Sequence, residues 1–118
     1  MATITREEVL NLITTKGSYL LIDVREEEEL HNGMIPTAKN LPLSIFENAI
    51  ELSEQEFEQQ FSFKKFSKED LVIFYCRTGG RSAVATDIAR EKRYNAKNYA
   101  GSVQEWSHYD KNVRMYYD

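Results

Sequence analysis

The five apolar residues Leu71-Val72-Ile73-Phe74-Tyr75 run directly into Cys76-Arg77-Thr78-Gly79-Gly80-Arg81-Ser82, and this junction limits the possible folds more than any other stretch. A continuous run of branched and aromatic side chains without polar alternation predicts a strand covered on both faces, the habit of parallel sheets. Beyond the loop, Val84, Ala85, Ile88 and Ala89 recur at helical spacing, which predicts a helix over 82–93. Strand, glycine turn and helix form a unit of the α/β kind, and sites in such sheets open beyond the carboxyl ends of strands. Cys76 lies there.

The rest of the chain repeats the alternation. Thr5-x-x-Glu8 reads as a capping box ahead of Val9, Leu10, Leu12 and Ile13, predicting a helix over 6–15. Tyr19–Ile22 predicts a buried strand, Glu26–His31 a short acidic helix with a solvated face stopped by Gly33, and Pro36 bars helix locally. Ala38–Leu41 suits a short strand, and Leu43–Leu52 carries Phe46, Ala49 and Ile50 at helical spacing. Ser53-x-x-Glu56 is a second capping box, opening a helix with Phe57 and Phe61. A last strand near Asn98–Tyr99, a turn at Gly101-Ser102 and a helix over Val103–Tyr109 with Trp106 complete the pattern. In 118 residues nothing resembles a linker, so the expectation is one α/β domain over 1–118, its mainly parallel sheet covered by helices on both faces.

Charge and cysteine usage narrow the chemistry. Fifteen basic against nineteen acidic side chains leave a net charge of −4, which argues against nucleic acid as partner and makes any anion site a local one. No apolar run approaches the roughly 18 residues that span a membrane. One cysteine cannot close an internal disulfide, and two distant histidines, His31 and His108, give no ligand spacing, so neither metal nor other cofactor is expected. His31 and His108 read as solvent or core residues. The first residues lack both a secretory core and a transit-peptide composition. Cytosol is the expected compartment, with the mitochondrion as alternative should a leader precede Met1.

The loop after Leu71–Tyr75 joins a thiol, two guanidinium groups, two glycines and a following helix start. Glycines let backbone N–H groups turn inward, and a helix N-terminus adds partial positive charge, so the loop can cradle an anion. The same field favours thiolate over thiol at Cys76. A buried inert cysteine is the plain alternative, but it needs neither the glycine turn nor flanking arginines. Arg77 and Arg81 then face the bound anion, Gly79 and Gly80 shape the cradle, Ser82 starts the helix, and Thr78 either donates its hydroxyl or serves the turn.

These residues resemble the active-site loop of the rhodaneses, the thiosulfate sulfurtransferase family. Three further segments match that family's patterns in order: Leu21-Ile22-Asp23-Val24-Arg25, Gly33-Met34-Ile35-Pro36-Thr37-Ala38, and Tyr99-Ala100-Gly101-Ser102 through Trp106. Departures are Met34 for the usual His, Thr37 for Gly and Ser102 for a second Gly; Gly-Ser also resembles the small one-domain members of eukaryotes. The resemblance implies a rhodanese-like fold with a five-stranded, mainly parallel sheet. Asp23 and Arg25 support the loop, by pairing with each other or with backbone, or else Arg25 reaches the substrate. Trp106 either walls the pocket or belongs to the core.

The implied reaction is ping-pong transfer of sulfane sulfur from thiosulfate through a Cys76 persulfide to a thiophilic acceptor: cyanide in an assay, a thiol or protein in the cell. A monomer or weak dimer would suffice. Two rivals remain. A phosphatase or arsenate reductase of similar fold has a wider loop, with one more residue than the four between Cys76 and Arg81. A non-turnover relay or docking module would keep the fold and dispense with catalysis.

Overall fold

The computed structural model describes residues 2–115. Its elements are α1 (Arg6–Thr15), β1 (Leu20–Asp23), a 3-10 helix (Glu27–Asn32), β2 (Lys39–Asn40), a 3-10 turn (Leu43–Ile45), α2 (Phe46–Ile50), α3 (Glu54–Phe61), β3 (Leu71–Tyr75), α4 (Gly80–Glu91), β4 (Asn95–Asn98) and α5 (Ser102–Trp106). Both predicted capping boxes form. Thr5 Oγ1 accepts the Glu8 N–H at 3.1 Å while Glu8 Oε1 accepts the Thr5 N–H at 3.0 Å, and Ser53 and Glu56 repeat the exchange at 3.2 and 3.3 Å.

The strands pair in parallel in the order β2-β1-β3-β4. Asp23 at the end of β1 lies in register with Tyr75 at the end of β3, so the segment after β1 meets the loop after β3. The alternating faces of β3 separate two apolar layers. Val72, Phe74 and Cys76 join Phe46, Phe57, Phe66 and Ala85 on the side of α2, α3 and α4. Ile73 and Tyr75 join Val9, Tyr99, Val103 and Trp106 on the side of α1 and α5. Burial on both faces explains why β3 is apolar at every position.

Five strands were expected, and four are found among the described residues. The position of a fifth, beside β4, is taken by the segment before α1, reduced to a single parallel bridge between Thr3 and Asn98. Ile4 N–H donates to Asn98 O at 3.1 Å and Asn98 N–H to Ala2 O at 2.8 Å; Thr5 then caps α1 and the chain turns away. Other boundaries shift. β4 starts earlier than expected, because its alternating Asn95, Ala96, Lys97 and Asn98 carry no apolar run. The acidic segment is 3-10, the stretch after Pro42 divides into a 3-10 turn and α2, and α5 ends at Trp106. Among the described residues no helix is long and apolar enough to cross a membrane.

Phe57 is the hub of the α3 side: fully buried, its ring lies 4.7 Å from Phe61, 5.1 Å from Phe63 and 6.2 Å from Phe66. Phe57→Ala should therefore destabilise the domain by about 3–5 kcal/mol through lost burial and the cavity left behind. A urea titration checks this; a loss below about 1 kcal/mol would mean that the cluster collapses onto the gap.

Candidate active site

The site forms where the carboxyl ends of β1 and β3 meet the start of α4. Cys76 leaves β3 with 1% of its surface exposed. Its backbone is clamped by the first turn of α5: Cys76 N–H donates to Ser102 Oγ at 3.1 Å, Cys76 O accepts the Val103 N–H at 3.1 Å, and Arg77 O accepts the Gln104 N–H at 2.9 Å. The chain then curls back. Gly79 N–H points at Cys76 Sγ from 3.1 Å, and the Ser82 hydroxyl lies 3.4 Å from the same sulfur.

That curl requires Gly79. Its φ is +98°, and a Cβ would stand 2.4 Å from Ala100 O, so any side chain both strains the backbone and strikes the segment before α5. Gly80 carries no such demand. It is the exposed first residue of α4, and nothing lies within 4 Å of where its Cβ would be.

Two effects oppose each other at the thiol. Burial raises its pKa, while the Ser82 hydroxyl and N–H and the N–H groups of Gly79 and Thr78 lower it. The donors win, and the Cys76 pKa falls below its ordinary value. Ser82 has one hydroxyl proton and two acceptors, Sγ and Gly79 O at 3.2 Å, so a charged sulfur draws that proton toward itself.

Asp23 and Arg25 lie beneath the loop. Both are buried, and they pair with each other: Arg25 Nε lies 3.0 Å from both carboxylate oxygens, Nη2 lies 2.7 Å from Oδ2, and Arg25 N–H donates to Oδ1 at 2.9 Å. The remaining donors of Arg25 hold backbone, Nη2 reaching Gly33 O at 2.9 Å and Nη1 reaching Glu29 O at 3.4 Å. Fully enclosed, the guanidinium faces protein and not solvent. Trp106 is a core residue, 4% exposed, edge-on to Tyr99 and donating Nε1–H to Asp110 at 3.1 Å.

Arg77 is half-buried at the loop and Thr78 is exposed. Arg81, expected to face an anion, instead grips the Glu29 carboxylate, Nη1 to Oε2 at 2.7 Å and Nη2 to Oε1 at 2.9 Å. Sequence reasoning missed Glu29, which it placed on a solvated face. Glu27 and Glu28 are exposed, but Glu29 turns toward Arg81 and Glu26 accepts the Ser44 hydroxyl at 2.9 Å. Only the spacing of Glu29 three residues after Glu26 hinted at its inward turn, since it closes the cap by accepting the Glu26 N–H at 2.9 Å. Ser102 was also missed. It stands at φ +53° where the motif usually has glycine, and its hydroxyl both accepts from Cys76 N–H and donates to Tyr99 O at 2.9 Å.

Comparison with known proteins places this geometry among relatives. The sequence profile of the rhodanese-like domain matches residues 5–109. A mitochondrial protein of Schizosaccharomyces pombe is 46% identical over 86% of this chain and 74% of its own. Human thiosulfate:glutathione sulfurtransferase is 38% identical over 88% of this chain and 91% of its own. The structure of the human single-domain sulfurtransferase TSTD1 superposes with a TM-score of 0.88 at 35% identity, covering 93% of this chain and 98% of that one.

Two predictions follow from the electrostatics. Arg25→Leu strands the Asp23 carboxylate in the interior and should cost about 3–5 kcal/mol, read as a lowered denaturation midpoint; an unchanged midpoint would mean the pair is dispensable. The rate of Cys76 alkylation by neutral iodoacetamide should rise with pH through an inflection below the ordinary thiol value. Ser82→Ala should move that inflection upward, because it removes the largest stabiliser of the thiolate. An unmoved inflection would show that the hydroxyl faces Gly79 O in both protonation states.

Proposed function

Because this chain belongs to the rhodanese family, we propose that it is a thiosulfate sulfurtransferase that carries sulfane sulfur on Cys76. The observation that carries the reading is the pair of donors aimed at Sγ from the loop, the Gly79 N–H at 3.1 Å and the Ser82 hydroxyl at 3.4 Å, which with the Ser82 and Thr78 N–H groups lower the thiol's pKa against burial. A buried sulfur so surrounded is stabilised as an anion and needs no separate base.

In the first half-reaction the Cys76 thiolate attacks the outer sulfur of thiosulfate. The new S–S bond takes up the sulfane sulfur, the bond to the sulfonate sulfur breaks with its electron pair, and sulfite leaves. One negative charge then sits on the terminal sulfur of the persulfide, and the N–H groups of the cradle remain to hold charge near the site. In the second half-reaction a thiolate attacks that terminal sulfur, leaving as its own persulfide and restoring the Cys76 thiolate. The human relative is named for glutathione, which supports a small thiol as acceptor here; cyanide serves in an assay, and a protein thiol uses the same chemistry. The reading calls for no cofactor, nucleic acid or membrane, and a monomer or weak dimer suffices. A reducing compartment suits a lone thiol, cytosol by our reading, although relatives carry mitochondrial names.

Incubation with excess thiosulfate should add the mass of one sulfur atom to the intact protein, and cyanide should remove it with release of thiocyanate. Cys76→Ser should abolish both, with its melting transition retained as control. An unchanged wild-type mass, with the thiol confirmed free, overturns the reading.

A further inference from the structure

Arg81 belongs to the loop around Cys76 but spends two of its donors on a carboxylate 52 residues away in sequence. The contact takes one N–H from each Nη, and a guanidinium has five, so the Nε–H and one more N–H on each Nη remain. Glu29 is itself firmly placed. Its Oε2 accepts the Glu26 N–H at 2.9 Å, and its backbone carbonyl is held by Arg25, the buried partner of Asp23. The Arg81 contact is the first cause holding the Glu29 carboxyl at about 2, against the opposing effect of burial. Glu29 is thus ionised wherever the thiol reacts. The charges of Arg81 and Cys76 also act on each other directly.

We propose that Glu29 is a specificity-determining residue of the sulfur-transfer site, which neutralises Arg81 and thereby weakens the loop's hold on oxyanions. The inference rests on the thiosulfate reading and extends it. An ion pair offers N–H donors to a ligand while adding almost no net charge. A bare Arg81 would attract every dianion that enters, including the sulfite that must leave and the sulfate or phosphate of the medium. Paired with Glu29, it gives direction without that excess attraction, and the selectivity then comes from the donors that converge on sulfur. Coulomb energy scales with ligand charge, so the effect of Glu29 should be larger for a dianion than for a monoanion and nearly absent for a neutral reagent.

The test uses Glu29→Gln, which keeps the side chain's volume and one oxygen to accept the Glu26 N–H, in the full chain with its melt recorded. Alkylation of Cys76 is measured with iodoacetate and with neutral iodoacetamide at a pH that ionises the thiol in every variant. The iodoacetate to iodoacetamide rate ratio should rise roughly threefold in Glu29→Gln, and the thiosulfate KM and sulfite inhibition constant should fall roughly tenfold. Arg81→Ala leaves Glu29 unneutralised beside the loop, so its ratio should drop below wild type. Adding Glu29→Gln to Arg81→Ala should bring the ratio back toward wild type. A residue that only supports the fold would slow both reagents alike. An unchanged or lowered ratio in Glu29→Gln, or equal changes with both reagents, overturns the proposal. If wild type takes no sulfur from thiosulfate, the functional reading fails, while the alkylation ratios still decide the role of Glu29.

Discussion

The buried pair of Asp23 and Arg25 is the interaction on which the rest of the site depends. Removing two charges from water costs several kcal/mol for each ion, and such a pair persists only where its geometry is good and its other donors are met. Here the conditions hold. The carboxylate takes four contacts from Arg25, and the guanidinium donors beyond it hold the carbonyls of Glu29 and Gly33. One ion pair therefore joins the end of β1 to the segment that follows it. Because β1 and β3 pair in register at Asp23 and Tyr75, that segment lies against the loop carrying Cys76.

The loop solves a second problem of the same kind. A sulfur with almost no exposed surface is a poor place for charge, and burial alone would keep Cys76 protonated. The Ser82 hydroxyl, with N–H groups that the curled loop turns inward, reverses that preference, and only a glycine at Gly79 permits the turn beside Ala100. Ser102 holds the other end. A serine at positive φ is strained relative to glycine, but its hydroxyl gives the Cys76 N–H a partner inside the protein, where an unmet donor would be costly.

Charge around the sulfur is balanced by residues from separate parts of the chain. Arg81 comes from the first turn of α4 and Glu29 from the 3-10 helix after β1, and they meet only because the sheet brings both to the carboxyl ends of its two central strands. The motif residues assemble the cradle, whereas a carboxylate outside the motif sets how much positive charge the cradle presents.

Much of this was legible in the residues themselves. Both capping boxes, the buried run Leu71–Tyr75 and the curl from Cys76 to Ser82 depend on neighbours a few positions apart, and local spacing carries that information. The four motifs together also made the family legible, because they resemble its patterns in the same order along the chain. Other features depend on partners far apart in sequence. Beyond its spacing from Glu26, nothing near Glu29 distinguishes it from Glu27 or Glu28 until Arg81 arrives, and the choice between Arg25 as ligand or prop required knowing that Asp23 was within reach and water was not. The fifth strand shrank to one bridge because Thr5 starts α1, a competition between capping and pairing that only the assembled sheet resolves. Sequence alone thus determined most of the helices and strands and the glycine loop that follows Cys76, because these follow from short-range geometry. Tertiary structure decided the charge partners and the fate of each arginine, because electrostatic neighbours are set by the packing of distant segments.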